Sequence, residues 1–203
     1  MNRVKCLSRV LHGALLSAVL LVIPGVSSWA QESPVDTAPA SVPADSLYGL
    51  PMPLTDDRGA HFDWREMAGQ PLLVTMFYGD CASACPVVMQ SLQRTIAELQ
   101  PEEGALRVLM VSLDPQHDTP ASLAHHMHGL DQRFFRLAVA ADEGQTRALA
   151  AALQIKYRAL DTGEISHNTR VTLLNAHGQV VASSTLLKPI ADQELLTAMR
   201  KIL

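Results

Sequence analysis

Cys81 and Cys85 stand four positions apart in "YGDCASACPVVMQ", residues 78–90, with Pro86 directly after the second. Two cysteines this close can form a disulfide, act as a redox pair or ligate a metal. The spacing is not the C-x-x-C of thiol–disulfide oxidoreductases. On a regular helix their Cβ atoms would sit too far apart for an easy disulfide, so reversible oxidation would need a non-helical loop at Cys81. Two convergent thiolates are soft ligands that suit copper(I) or zinc. They cannot complete a structural zinc site, which wants four ligands. Copper(I) accepts fewer, and one imidazole with two sulfurs would serve.

Candidate imidazoles beyond residue 30 are His61, His117, His125, His126, His128, His167 and His177. His167 stands out by location, in "GEISHNTRVTLL" just ahead of a strand pattern. "HHMH", residues 125–128, is a second cluster. His125 and His128 would share a helix face, with His117 near the amino end of that helix. With Met127 they could form a second, weaker copper site. The competing reading is a solvated polar face with Met127 buried.

The elements that must position these residues follow from periodicity. "MPLTDDRGAHFDW" reads as a β-hairpin turning near Asp57-Arg58-Gly59. "QPLLVTMFY" and "ALRVLMVSLD" are apolar runs expected of strands buried on both faces. "PVVMQSLQRTIAELQ" is helical, with Pro86 suited to its first turn. Cys85 therefore falls at or just before a helix start, where free N–H groups and the helix dipole favour a thiolate. "DTPASLAHHMHGL" opens a second helix, with Asp118 or Thr119 as its cap. "FFRLAVA" is a strand, "EGQTRALAAALQI" a helix, "RVTLLNAHGQVVASST" a hairpin and "ADQELLTAMRKIL" a closing helix. The order predicts an α/β fold with a central mixed sheet, helices on both faces and an N-terminal β-hairpin. Cysteines at the strand-to-helix turn after the first core strand make it look like a thioredoxin fold. Sites in such sheets gather at the carboxyl ends of strands.

In a thioredoxin-like fold the loop before the final hairpin faces the cysteine turn. Thioredoxins keep a cis-proline there, whereas this sequence has no proline between Pro120 and Pro189. His167 nearby would replace a redox platform with a metal ligand.

The amino terminus speaks for export. Arg3, Lys5 and Arg9 precede the apolar "LHGALLSAVLLVI", which Pro24 and Gly25 break, and Ser28 and Ala30 are spaced like a cleavage site. Residues 1–30 read as a signal peptide. The rival is an uncleaved anchor, but a spanning helix needs roughly 20 apolar residues and this run is shorter. Cys6 would leave with the signal. Residues 31–46, rich in Pro, Ala and Ser, read as a flexible tether, and residues 47–203 as one domain. Beyond residue 30 there are 13 Lys and Arg against 20 acids, a net −7, so nothing speaks for nucleic acid. A bridge closing so short a loop would gain little entropy, which favours chemistry over a structural staple.

Three ordered blocks resemble the Sco (SenC-type) family of copper chaperones. They are the C-x-x-x-C-P of "CASACP", the "VSLDPQHDTPASL" block, and "SHNTRVTLLNAHGQVV" with His167 ahead of Gly178. The resemblance runs from about Leu50 to the end. It implies that Cys81, Cys85 and His167 bind copper and that the acceptor is the copper-site subunit of a respiratory oxidase in cytochrome c oxidase assembly, with a separate copper donor. Ser166 stands where the family usually has Asp, Ala82 where many members have Pro, and "FYGD" replaces the common aromatic-Thr pattern. The "DPQHDTP" block reads as ordinary strand ending and helix capping.

The expected function is thus a periplasmic copper chaperone, tethered to the membrane if the leader is kept. The alternative is a periplasmic thiol–disulfide oxidoreductase that keeps the acceptor's cysteines reduced, with Cys81 and Cys85 as its redox pair. A thiol peroxidase is disfavoured because Tyr78 occupies the position of the peroxiredoxin Ser or Thr, three before Cys81.

Overall fold

The computed structural model describes residues 42–203. The segment read as a signal peptide, and residues 31–41 of the one read as a tether, lie outside the described residues. Ser46 caps a short 3-10 turn, Leu47–Gly49, and its hydroxyl donates to the carbonyl of His177 at 2.6 Å. Gly178 makes this seat possible. Its φ is +79°, and a Cβ there would stand 2.4 Å from the Tyr48 ring.

Strands β1 (Pro53–Asp56) and β2 (His61–Asp63) form the antiparallel hairpin. One carboxylate oxygen of Asp56 accepts from the N–H groups of Arg58 and Ala60, at 3.0 and 2.8 Å, and so closes the turn. The other accepts from Arg136 at 2.7 Å. The Arg136 guanidinium lies 3.4 Å from the centroid of the Phe62 ring.

The two apolar runs are β3 (Leu72–Phe77) and β4 (Arg107–Ser112). Every residue of β3 and all but the first of β4 are buried, so both faces of the sheet are covered. Helix α1 (Ala84–Leu99) joins them and buries Cys85, Val88, Leu92, Thr95 and Ile96, a stripe at helical spacing. Helix α2 (Pro120–His126) starts at a Thr119 cap with Pro120 in its first turn. It leads to β5 (Phe135–Ala140) and then to α3 (Glu143–Ala152), capped by Asp142. Strands β6 (Tyr157–Ala159) and β7 (Ile165–His167) pair with each other in a sheet of their own. Strands β8 (Val171–Leu174) and β9 (Val180–Ser184) and helix α4 (Gln193–Met199) close the chain. The N–H of Asp192 donates to Thr95 Oγ1 at 2.9 Å and ties α4 to α1.

The main sheet has seven strands in the order β2-β1-β5-β4-β3-β8-β9. β3, β4 and β5 run parallel and their neighbours antiparallel, which makes the sheet mixed as the element order predicted. The segment before the final hairpin, expected as a loop, contains the β6–β7 hairpin. Its strands are three residues each and none of those residues is buried, too short for an alternation pattern to register. No helix among the described residues is long and apolar enough to cross a membrane.

Candidate metal centre

β3 delivers the chain to the cysteine loop at the carboxyl end of the parallel strands. Cys81 lies in a non-helical turn, its N–H donating to the Tyr78 carbonyl at 3.2 Å. Cys85 is the second residue of α1. Both thiols are free and buried. The Cys85 N–H points at Cys81 Sγ, 3.3 Å away. The helix start therefore serves the other sulfur from the one expected. Burial raises the pKa of Cys81, but the Cys85 thiol and the backbone N–H groups of Cys85, Ser83 and Ala84 outweigh it and hold Cys81 below the ordinary thiol value. Cys85 turns inward instead. Burial, and then its hydrogen bond to Cys81, push it well above that value.

His167 comes from the last position of β7, not from a free loop. Its ring stands edge-on to Tyr78, with centroids 5.9 Å apart at 82°. Its Nδ1 lies 3.1 Å from the Asn168 carbonyl, an acceptor only, so Nδ1 is the donor there and, in the neutral ring, Nε2 carries the lone pair. Asn168 also anchors the hairpin: its Oδ1 accepts from the Lys156 N–H at 2.6 Å.

One donor atom each from Cys81, Cys85 and His167 lie within 4.8 Å of one another, and among the described residues this is the group of three or more potential ligands. Two sulfurs and one imidazole form a soft, three-donor set. It falls short of a closed structural zinc site and suits a soft ion of low coordination number.

The other histidines do not converge there. His117 pairs with Asp114 at 2.8 Å. Met127 is buried and unavailable as a surface ligand. His61 bonds Thr55 on the hairpin. Ala82 and Ser166 are both exposed.

Residues that local pattern did not single out hold the loop. Thr119 takes the cap of α2, which frees Asp118 for a different task. The Asp118 carboxylate accepts from the Gly79 N–H and from the Ser112 hydroxyl. Gly79 has to be glycine, since a Cβ there would lie 2.3 Å from Asp118 Oδ1 and 3.1 Å from His126 Nε2. The "DPQHDTP" block thus reaches the cysteine loop directly, beyond its capping chemistry.

The family model for SCO1/SenC matches residues 42–203. The chain belongs to the SCO1/SenC family. A bovine relative, the mitochondrial SCO2 homolog, is 24% identical over 132 residues, 62% of this chain and 49% of that protein. The chain thus spans about half the length of this curated relative. Solved structures share the fold at low identity. A SCO1/SenC family lipoprotein from Bacillus anthracis has a TM-score of 0.67 at 16% identity, covering 75% of this chain and 93% of that one. ScoI of Bradyrhizobium japonicum, solved with copper bound, has a TM-score of 0.63 at 19% identity, covering 76% and 98%. As a SCO1/SenC member, the chain has the thioredoxin-like sheet of that family.

Proposed function

We propose that this chain is an exported copper chaperone that holds copper through Cys81, Cys85 and His167 and passes it to the copper-site subunit of a respiratory oxidase. The observation that carries this reading is the approach of the three donor atoms within 4.8 Å. The copper-bound Bradyrhizobium japonicum relative supports the choice of ion. A three-donor site leaves coordination positions open, and an acceptor's ligands can enter there and exchange the ion without a free intermediate. In this reading residues 1–30 direct export to the periplasm, residues 31–46 tether the domain and join it at the seated Ser46, and a separate donor loads it. The test is a copper(I) titration of the reduced protein against a competing chelator, repeated with Cys81→Ser, Cys85→Ser and His167→Ala. Loss of a stoichiometric site in all three supports the reading. Wild-type affinity in His167→Ala sinks it.

A second reading is favoured by the inequality of the two thiols, one held toward thiolate and the other kept as thiol. A pair so divided suits a reductant of an acceptor's cysteines, with Cys81 attacking and Cys85 resolving. Exchange with a small disulfide that persists at full rate in His167→Ala, together with no copper retention in the wild type, would favour it over the chaperone.

A further inference from the structure

The histidine run at the carboxyl end of α2 and in the turn after it is not used by the cysteine centre. His125 and His128 are exposed. Their ring centroids lie 5.7 Å apart at an interplanar angle of 76°. His117 is engaged by Asp114, whereas neither of these two rings is hydrogen-bonded within the described residues. An imidazole nitrogen bonds such ions at about 2.0 Å, which puts each ring centroid about 3.1 Å from the ion and two centroids about 4.4 Å apart at a right angle or about 6.2 Å in line. The observed 5.7 Å falls inside that interval.

His126 stands 6.0 Å from His125, ring centroid to ring centroid, but it packs edge-on to Phe77 at 6.2 Å and its Nε2 faces Gly79, which leaves His125 and His128 as the two ligands. Met127 is buried. Two imidazoles with the remaining positions open to water form a borderline donor set, and copper(II) heads the affinity order of divalent first-row ions for such donors. The set holds no thiolate, so it differs in kind from the cysteine centre. It also lies close by, because His126, between the two ligands, packs against the loop that carries Cys81.

We propose that His125 and His128 form a second, weaker site that takes up copper(II) at the surface beside the cysteine loop. This site stands independently of whether Cys81, Cys85 and His167 hold copper. The test uses the Cys81→Ser/Cys85→Ser chain, titrated with copper(II) and followed by d–d absorption and EPR. The expected result is one equivalent with hyperfine structure from two imidazole nitrogens. Adding His125→Ala/His128→Ala lowers the affinity by more than the roughly tenfold that losing even an outer-shell partner costs. His177→Ala, an exposed histidine elsewhere, leaves it unchanged. Because serine at two buried positions can disturb folding, the same titration is run on the wild-type chain preloaded with silver(I), which occupies thiolates and is EPR-silent. An unchanged titration after removal of both histidines overturns the proposal, as does the absence of any copper(II) equivalent while both are present. Neither result bears on copper(I) retention by the cysteine centre, which is read separately.

Discussion

The carboxylate of Asp118 accepts a hydrogen bond from the backbone N–H of Gly79 at 3.0 Å, across 39 positions of sequence. The same oxygen receives the Ser112 hydroxyl at 2.5 Å. The turn after β4 therefore holds the turn after β3, and with it Cys81. Leaving a buried donor without its acceptor costs about 1–3 kcal/mol. Asp118→Ala is expected to lower unfolding free energy in urea by that order and to weaken copper(I) retention against a chelator. Asp118→Asn keeps an acceptor oxygen and should fall between. A variant lacking the carboxylate that keeps wild-type copper retention would show that the loop holds itself.

Gly79→Ala attacks the same contact from the other side, by setting a methyl against Asp118 Oδ1. Alone it should destabilise the fold. Combined with Asp118→Ala, part of that loss should return, because the obstructing atoms are gone. A double-mutant cycle in urea is expected to show coupling of about 0.5–3 kcal/mol. Strict additivity would mean the methyl is accommodated by moving the loop.

The two thiols should label unequally. N–H groups and the Cys85 thiol hold Cys81 toward thiolate against its burial, while burial keeps Cys85 a thiol. Limited iodoacetamide treatment of the reduced, metal-free protein, read by peptide mass spectrometry, should modify Cys81 first. Equal labelling, or Cys85 first, would refute this assignment.

Acid stability should register Asp56. Burial raises its pKa, but hydrogen bonds from Arg136 and from the N–H groups of Ala60 and Arg58 outweigh burial and set it below the ordinary 3.8. With the folded value depressed, the unfolded chain binds the proton first. The contribution is therefore complete above the ordinary value and is lost as pH falls from there through the folded one. Asp56→Asn should lower stability at neutral pH by about 1–3 kcal/mol, the cost of a lost charge-assisted bond to a partly exposed arginine. It should also flatten the decline below about pH 4. Chemical unfolding across pH checks both slopes.

Much of this was legible in the sequence. The runs at β3 and β4 announced buried strands because both faces of those strands are covered, and Pro86 and Thr119-Pro120 marked two helix starts by local stereochemistry. The separation of Cys81 and Cys85 across a strand-to-helix turn was equally local. Long-range relations were not. Asp118 before Thr-Pro looks like a cap, and only the fold shows that Thr119 takes that role. The helix start was expected to favour Cys85, but side-chain direction within the first turn buries that sulfur and leaves the N–H groups to Cys81. The β6–β7 pair leaves no periodic signal because three-residue strands carry too few side chains to show one.

That small hairpin has a consequence of its own. The sulfurs sit on the strand-to-helix junction of the main sheet, whereas the imidazole sits on a separate two-stranded ribbon held by Asn168. A ribbon of two strands is marginal by itself. An ion gripped by all three donors would therefore have two fixed jaws and one hinged one. The hinged jaw would cost least to open, so the proposed ion would surrender nitrogen before sulfur.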